Sequence, residues 1–82
     1  MIIITTENSV YAISSTSDGV GYIIMKTSHN KPGMFAIGQR FLANHWYIDR
    51  EGCAHFDSVV TSKVLLVEDS QTRARLPGGI DY

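Results

Sequence analysis

β-Branched and aromatic residues are gathered into short runs closed by turn-forming residues, and this punctuation restricts the chain to strands. "MIIITT", "SVYAIS", "VGYIIMK", "HWYIDR", "CAHFDS" and "VVTSKVLLVE" are the runs. "STSDG" supplies a turn signal between the second and third, which makes a hairpin of Ser9 to Ser14 with Val20 to Lys26. "TSHNKPG" is a loop, because Pro32 cannot donate to a ladder and Gly33 permits positive φ. "MFAIGQRFLA" has two readings: a strand through Ile37 with a bend at Gly38, or a single helical turn over Gln39 to Ala43. Six or seven short strands and no helix of useful length give an all-β fold, a small antiparallel barrel or sandwich. The β domain spans residues 1–70. Residues 71–82 are an irregular C-terminal tail, since Pro77, Gly78 and Gly79 prevent regular structure while Leu76, Ile80 and Tyr82 remain apolar enough to dock.

At 82 residues the chain is one domain, near the size at which a single core supports a fold without staples. Hydrophobic residues at 44% against 18% charged exclude intrinsic disorder. Seven Lys and Arg balance eight Asp and Glu, leaving no electrostatic footprint for duplex nucleic acid. Cys53 is the only cysteine, so no intramolecular disulfide can form, and a reducing cytoplasm suits the protein best. "MIII" is too short for a signal-peptide core, and no run reaches the length of a membrane helix. The expected localisation is therefore cytoplasmic, with no membrane partner.

"DREGCAHFDS", residues 49–58, places a cysteine, a histidine and two aspartates close together inside a hairpin. Two registers are open. A two-residue loop at Glu51 and Gly52 would put Trp46 and Ile48 on one face with His55 and Asp57. A three-residue loop of Arg50, Glu51 and Gly52, with Gly52 left-handed, pairs Ile48 with Ala54, Tyr47 with His55, Trp46 with Phe56 and His45 with Asp57. The second collects Trp46, Ile48, Ala54 and Phe56 on one apolar face. Burying such side chains is worth roughly 1.5–3 kcal/mol each, more than any difference in turn preference, so burial selects it.

The other face then carries His45, Tyr47, Asp49, Cys53, His55 and Asp57. His45, His55 and Asp57 are close enough to converge on one ion, but their spacing is that of any exposed strand and matches no zinc motif, so a solvated face is the expectation and no metal is assigned. Cys53 and His55 diverge along one strand and have no orienting third group, and the chain contains no nucleophile-elbow, phosphate-loop or zinc-protease motif. Catalysis and cofactors are not expected. Arg40, Arg50, Arg73 and Arg75 among Phe41, Trp46 and Tyr47 form a mixture able to hold an anionic or nucleotide ligand by bidentate contacts and stacking. With His55 on the same hairpin face, the candidate ligand-binding residues are Arg40, Trp46, Tyr47, Arg50, His55, Arg73 and Arg75. Solubilising surface charge is the plainer reading of the arginines.

Ile2 to Ile4, Tyr22 to Met25 and Val64 to Val67 are apolar on successive residues, whereas strands with one wet face alternate. Such runs want cover on both faces, and a domain this small has little material for a second layer. A second copy of the chain, or a neighbour's tail, is the expected cover, so the protein is expected to be a homo-oligomer; the alternative is a tightly rolled barrel in which one face looks inward and the tail covers the rest.

Thr6 to Tyr11, "TENSVY", resembles an N-terminal strand signature of small uncharacterised proteins of tailed bacteriophages. Those proteins close with a strand opening on T-S-x-V, and Thr61 to Val64, "TSKV", stands in the corresponding place, with Lys63 where the family often has proline. The likeness covers roughly Thr6 to Glu68. It implies a compact all-β phage accessory protein with no catalytic residues to transfer. By analogy of class, such a protein antagonises a host-defence factor, either by sequestering a small anionic, nucleotide-like ligand or by covering a host protein surface. The alternative is a structural or virion-associated assembly protein.

Overall fold

The structure, a computed structural model, describes residues 1–33 and 35–69. The tail expected over 71–82, with Arg73 and Arg75, lies outside the described residues. Within them the fold is all-β: β1 (Ile2–Thr6), β2 (Ser9–Ser15), β3 (Tyr22–His29), β4 (Arg40–Ala43), β5 (Trp46–Ile48), β6 (Cys53–Phe56) and β7 (Val59–Asp69). All pairings are antiparallel, in the order β4-β3-β2-β1-β7-β6-β5. No helix among these residues is long and apolar enough to cross a membrane.

Connectivity forces the sheet to curl. Its two outermost strands, β4 and β5, are consecutive in the chain and only Asn44 and His45 separate them. A flat seven-stranded sheet would hold those edges far apart, because neighbouring strands lie about 4.8 Å from one another. Register shifts at Thr5/Thr6, Val10/Tyr11 and Cys53/His55 supply the bends. Asp57 fastens the seam, its carboxylate accepting the backbone N–H groups of Asn44 and His45 at 2.9 and 3.0 Å. The result is a half-barrel.

The concave side holds the core. Ile4, Tyr11, Ile13, Ile24, Ala43, Ala54 and Phe56 are buried there, flanked by Ile2, Tyr22, Phe41, Trp46, Val59 and Val64. Phe56 sits at its centre, with Tyr11, Phe41 and Trp46 at ring-centroid distances of 5.4, 6.0 and 6.5 Å. The consecutive apolar runs divide as strand geometry requires: Ile4 and Ile24 point inward with no exposure, while Ile3, Ile23 and Met25 are half-buried on the convex face. Leu65, Leu66 and Val67 stay exposed.

Two sequence expectations need correction. Neither reading of "MFAIGQRFLA" holds in full. The bend at Gly38 is real, with φ of 87°, but the strand follows it and no helical turn forms over Gln39 to Ala43. The reason is tertiary: Lys26 exchanges backbone hydrogen bonds with this bend, from Gly38 N–H to Lys26 O and from Lys26 N–H to Gln39 O, which leads the chain into β4 beside β3. The hairpin predicted from Val20 starts later, at Tyr22, and Val20 lies exposed in a turn organised by Asp18, whose carboxylate accepts the Thr16 hydroxyl and Val20 N–H.

Candidate functional site

β3 carries the most unusual side chain in the molecule. Inward-facing positions alternate along it as Tyr22, Ile24 and Lys26, so the period that buries an isoleucine also buries a lysine. Lys26 is 1% exposed. Its ammonium donates to the Phe35 carbonyl at 2.8 Å, and no carboxylate among the described residues forms an ion pair with it. An ammonium has three donors and a full charge, and burial without a counter-charge is costly.

The loop between β3 and β4 brings the acceptor into place. Phe35 stacks on Phe41 with ring centroids 4.4 Å apart and planes 12° from parallel, and Ala36 N–H donates to the Gln39 side chain. Stacking against a core aromatic fixes the Phe35 backbone where its carbonyl meets Lys26. Beside this contact lies a cavity of about 290 Å³, at the lower end of small-ligand sites. Lys26, Lys31, Ser9, Tyr11, Thr61 and Ser62 line it, with Asn8, Pro32, Gly33, Phe35, Val59 and Val60.

Both strand motifs noted in the sequence meet at this cavity. Within "TENSVY", the Thr6 hydroxyl accepts the N–H groups of Asn8 and Ser9 and donates to the Ser9 carbonyl, tightening the β1–β2 turn. "TSKV" lies against it: Asn8 N–H reaches the Ser62 hydroxyl at 3.3 Å, and Glu7 N–H donates to Lys63 O at 2.9 Å. Thr61 is buried, its hydroxyl accepting Ala54 N–H and donating to the Ser62 carbonyl. On β3, opposite Ser9, His29 keeps a buried Nδ1 with no hydrogen-bond partner among the described residues.

The "DREGCAHFDS" hairpin adopts the three-residue loop selected from burial. Trp46 pairs with Phe56, Tyr47 with His55 and Ile48 with Ala54. Asp49 N–H donates to Cys53 O at 2.9 Å, and Gly52 has φ of 94°. Ala54 and Phe56 are buried and Trp46 is half-buried, but Ile48 remains 39% exposed, at the end of the sheet's last strand.

On the convex face of this hairpin Tyr47 stacks on His55, centroids 4.5 Å apart, and His55 Nε2 meets Asp49 Oδ2 at 2.6 Å. Asp49 also accepts the N–H groups of Glu51 and Cys53. The His55 hydrogen bond first, and then the Cys53 amide, hold its carboxyl below the ordinary 3.8. Asp57 is lowered likewise, by the amides of Asn44 and then His45. Its carboxylate is thus turned onto backbone rather than joined with the His45 and His55 rings, and no group of three His, Cys, Asp or Glu side chains among the described residues is placed to hold a metal ion.

Of the candidate ligand residues named from sequence, the five among the described residues, Arg40, Trp46, Tyr47, Arg50 and His55, are not brought together at one place. Arg40 lines a shallow convex-face depression with Met1, Ala12, Ser14, Ile23 and Met25. Trp46 turns inward onto Phe56, while Tyr47 and His55 face outward together. Arg50 is exposed in the turn. Sequence reasoning missed Lys26 and Lys31. The signal for Lys26 was its parity with Tyr22 and Ile24, although lysine is a residue seldom fully buried. Compared with protein-family models, curated proteins and solved structures, the chain gives no match.

Proposed function

We propose that the protein is a non-enzymatic binding protein that sequesters a small anionic ligand, with a phosphate or nucleotide phosphate received in the Lys26 cavity. The observation that carries this reading is the buried ammonium with a backbone carbonyl, and no carboxylate among the described residues, for company. An anion would supply the missing counter-charge, Lys31 would add a second positive charge, and hydroxyls and amides at the cavity would serve the remaining oxygens. Binding is preferred to catalysis because the cavity is lined by ammonium and hydroxyl groups suited to an anion, while the one imidazole–carboxylate pair among the described residues, His55 with Asp49, stands on the convex face. The resemblance of "TENSVY" and "TSKV" to phage accessory proteins fits the same reading, with capture of a host signalling nucleotide as the biological consequence.

Calorimetric titration with inorganic phosphate and a panel of linear and cyclic nucleotides tests it. Binding is expected, weakened at least about tenfold in Lys26→Met, the loss of one charge-assisted contact. Silence across the panel, or unchanged affinity in a folded Lys26→Met, would remove the reading. A second reading, a structural or virion-associated assembly protein, is favoured by the exposed run Leu65 to Val67. Stoichiometric recovery in purified particles would support it.

A further inference from the structure

β2 and β3 bring buried polar side chains to the Lys26 cavity: Ser9, Tyr11 and Lys26 itself. Ser9 and Tyr11 lie two residues apart on β2 and so share a face, and Tyr11 stands directly opposite Lys26 on β3. The Lys26 ammonium gives one of its three donors to the Phe35 carbonyl, which leaves two. Neither the Ser9 nor the Tyr11 hydroxyl has a hydrogen-bond partner among the described residues, for Thr6 bonds only the N–H and carbonyl of Ser9, and Tyr11 gives its ring to Phe56. Neither hydroxyl is sealed from solvent as His29 Nδ1 is. Buried polar groups are normally paired, so the partners these groups lack must come from the cavity they line. Among the described residues no aspartate or glutamate lines it.

Gly33 marks the way in. It is exposed, its φ lies outside the left-handed region, and a Cβ there would meet Lys26 Nζ at 3.9 Å, an ordinary contact. The backbone therefore does not require glycine at this position, and what the missing side chain leaves is room before the ammonium.

We propose that Lys26, Tyr11 and Ser9 form a receptor for a terminal phosphate, a monoester rather than a cyclic diester, admitted past Gly33. The inference rests on the anion reading of this cavity and adds which anion it takes. A terminal phosphate carries about −1.5 to −2 charge at neutral pH and three acceptor oxygens. The remaining ammonium donors and the two hydroxyls can serve all of them, and the exposed Lys31 adds a second positive charge. A cyclic diester has one oxygen fewer and a single charge. It leaves part of this donor set unmatched, and an unmatched buried donor is what penalises the wrong ligand.

Calorimetric titration of the full chain with inorganic phosphate, linear adenosine monophosphate and its cyclic counterpart decides the matter. The linear nucleotide should bind at least about tenfold more tightly than the cyclic one, a comparison that needs no variant. Tyr11→Phe keeps the ring against Phe56, and Ser9→Ala leaves the Thr6 contacts in place. Each should fold as the wild type does, weaken phosphate binding about tenfold and narrow the difference between linear and cyclic nucleotide. Gly33→Val should reduce the binding of every anion with unchanged far-ultraviolet circular dichroism. Equal affinity for the two nucleotides, phosphate binding indifferent to loss of either hydroxyl, or wild-type affinity in Gly33→Val would overturn this inference and leave the anion reading standing. Silence toward all the anions would remove both.

Discussion

At Lys26 stability and the proposed anion binding pull in opposite directions. Its aliphatic stem packs where an isoleucine would, but its ammonium is withdrawn from water for one carbonyl contact. Replacing it by methionine keeps the length and removes the buried charge. The Lys26→Met protein should therefore unfold in urea at or above the wild-type midpoint while losing the proposed anion binding. Coupled loss of both would assign Lys26 a purely structural role. The aspartates behave differently. Asp49 and Asp57 are held below the ordinary value of 3.8 in the folded chain, by the His55 hydrogen bond and by backbone amides respectively. A carboxyl lowered on folding contributes its stabilisation fully above the unfolded value, and the contribution is lost as pH falls through the lowered native value. Urea midpoints should thus fall as the pH is taken below 3.8, and Asp57→Asn should flatten that decline. An identical acid profile in the variant would show that Asp57 does not anchor the Asn44–His45 seam.

Among the elements, the β5–β6 hairpin shows most directly how sequence sets local structure. Side chains alternate with period two, so one slip of register would have exchanged Phe56 and Ala54 with His55 and Cys53. The observed pairing keeps Phe56 inside and leaves His55 to Tyr47 and Asp49. Gly52 makes that register possible, because φ of 94° is a conformation that other residues enter at a cost of about 1–3 kcal/mol. A Cβ there would also lie 3.4 Å from Lys63 Cγ. Gly52→Ala should therefore lower unfolding stability by about 1–3 kcal/mol, measured by chemical denaturation. No loss would mean the loop relaxes to another turn. The β3–β4 connection is the contrasting case. Proline and glycine mark it as a loop, but the stacking of Phe35 on Phe41, which aims the Phe35 carbonyl at Lys26, depends on a strand that the loop itself precedes.

In the molecule as a whole, the curl of one sheet makes both the core and the cavity. Phe56 is where the curl closes, since its ring meets Tyr11 of β2, Phe41 of β4 and Trp46 of β5. Truncating it withdraws contacts from both sides of the seam at once, so Phe56→Ala should cost about 3–5 kcal/mol, a large part of a small domain's stability. Loss of cooperative thermal unfolding in that variant is the expected observation. A loss under about 1 kcal/mol would mean the core collapses onto the gap or lies elsewhere. Among the described residues, the β6 ladder along β7 ends at Val64.

Local chemistry was legible in the letters: strand runs and their turns, the all-β class, the hairpin register and the left-handed Gly52. Each depends on neighbours a few residues apart or on a period-two pattern. The sequence also marked Val64 to Val67 as apolar on both faces, and the fold leaves Leu65, Leu66 and Val67 exposed. What it could not supply was the meeting of distant segments. Arg40, Trp46, Tyr47 and Arg50 stood as candidate contacts near one another in sequence, but β5 sends Trp46 onto Phe56 and Tyr47 to the opposite face, onto His55. Lys26, Ser9 and Thr61 come together only when β1 joins β2 to β7, and that closure, a matter of tertiary geometry, decides where a ligand could be held.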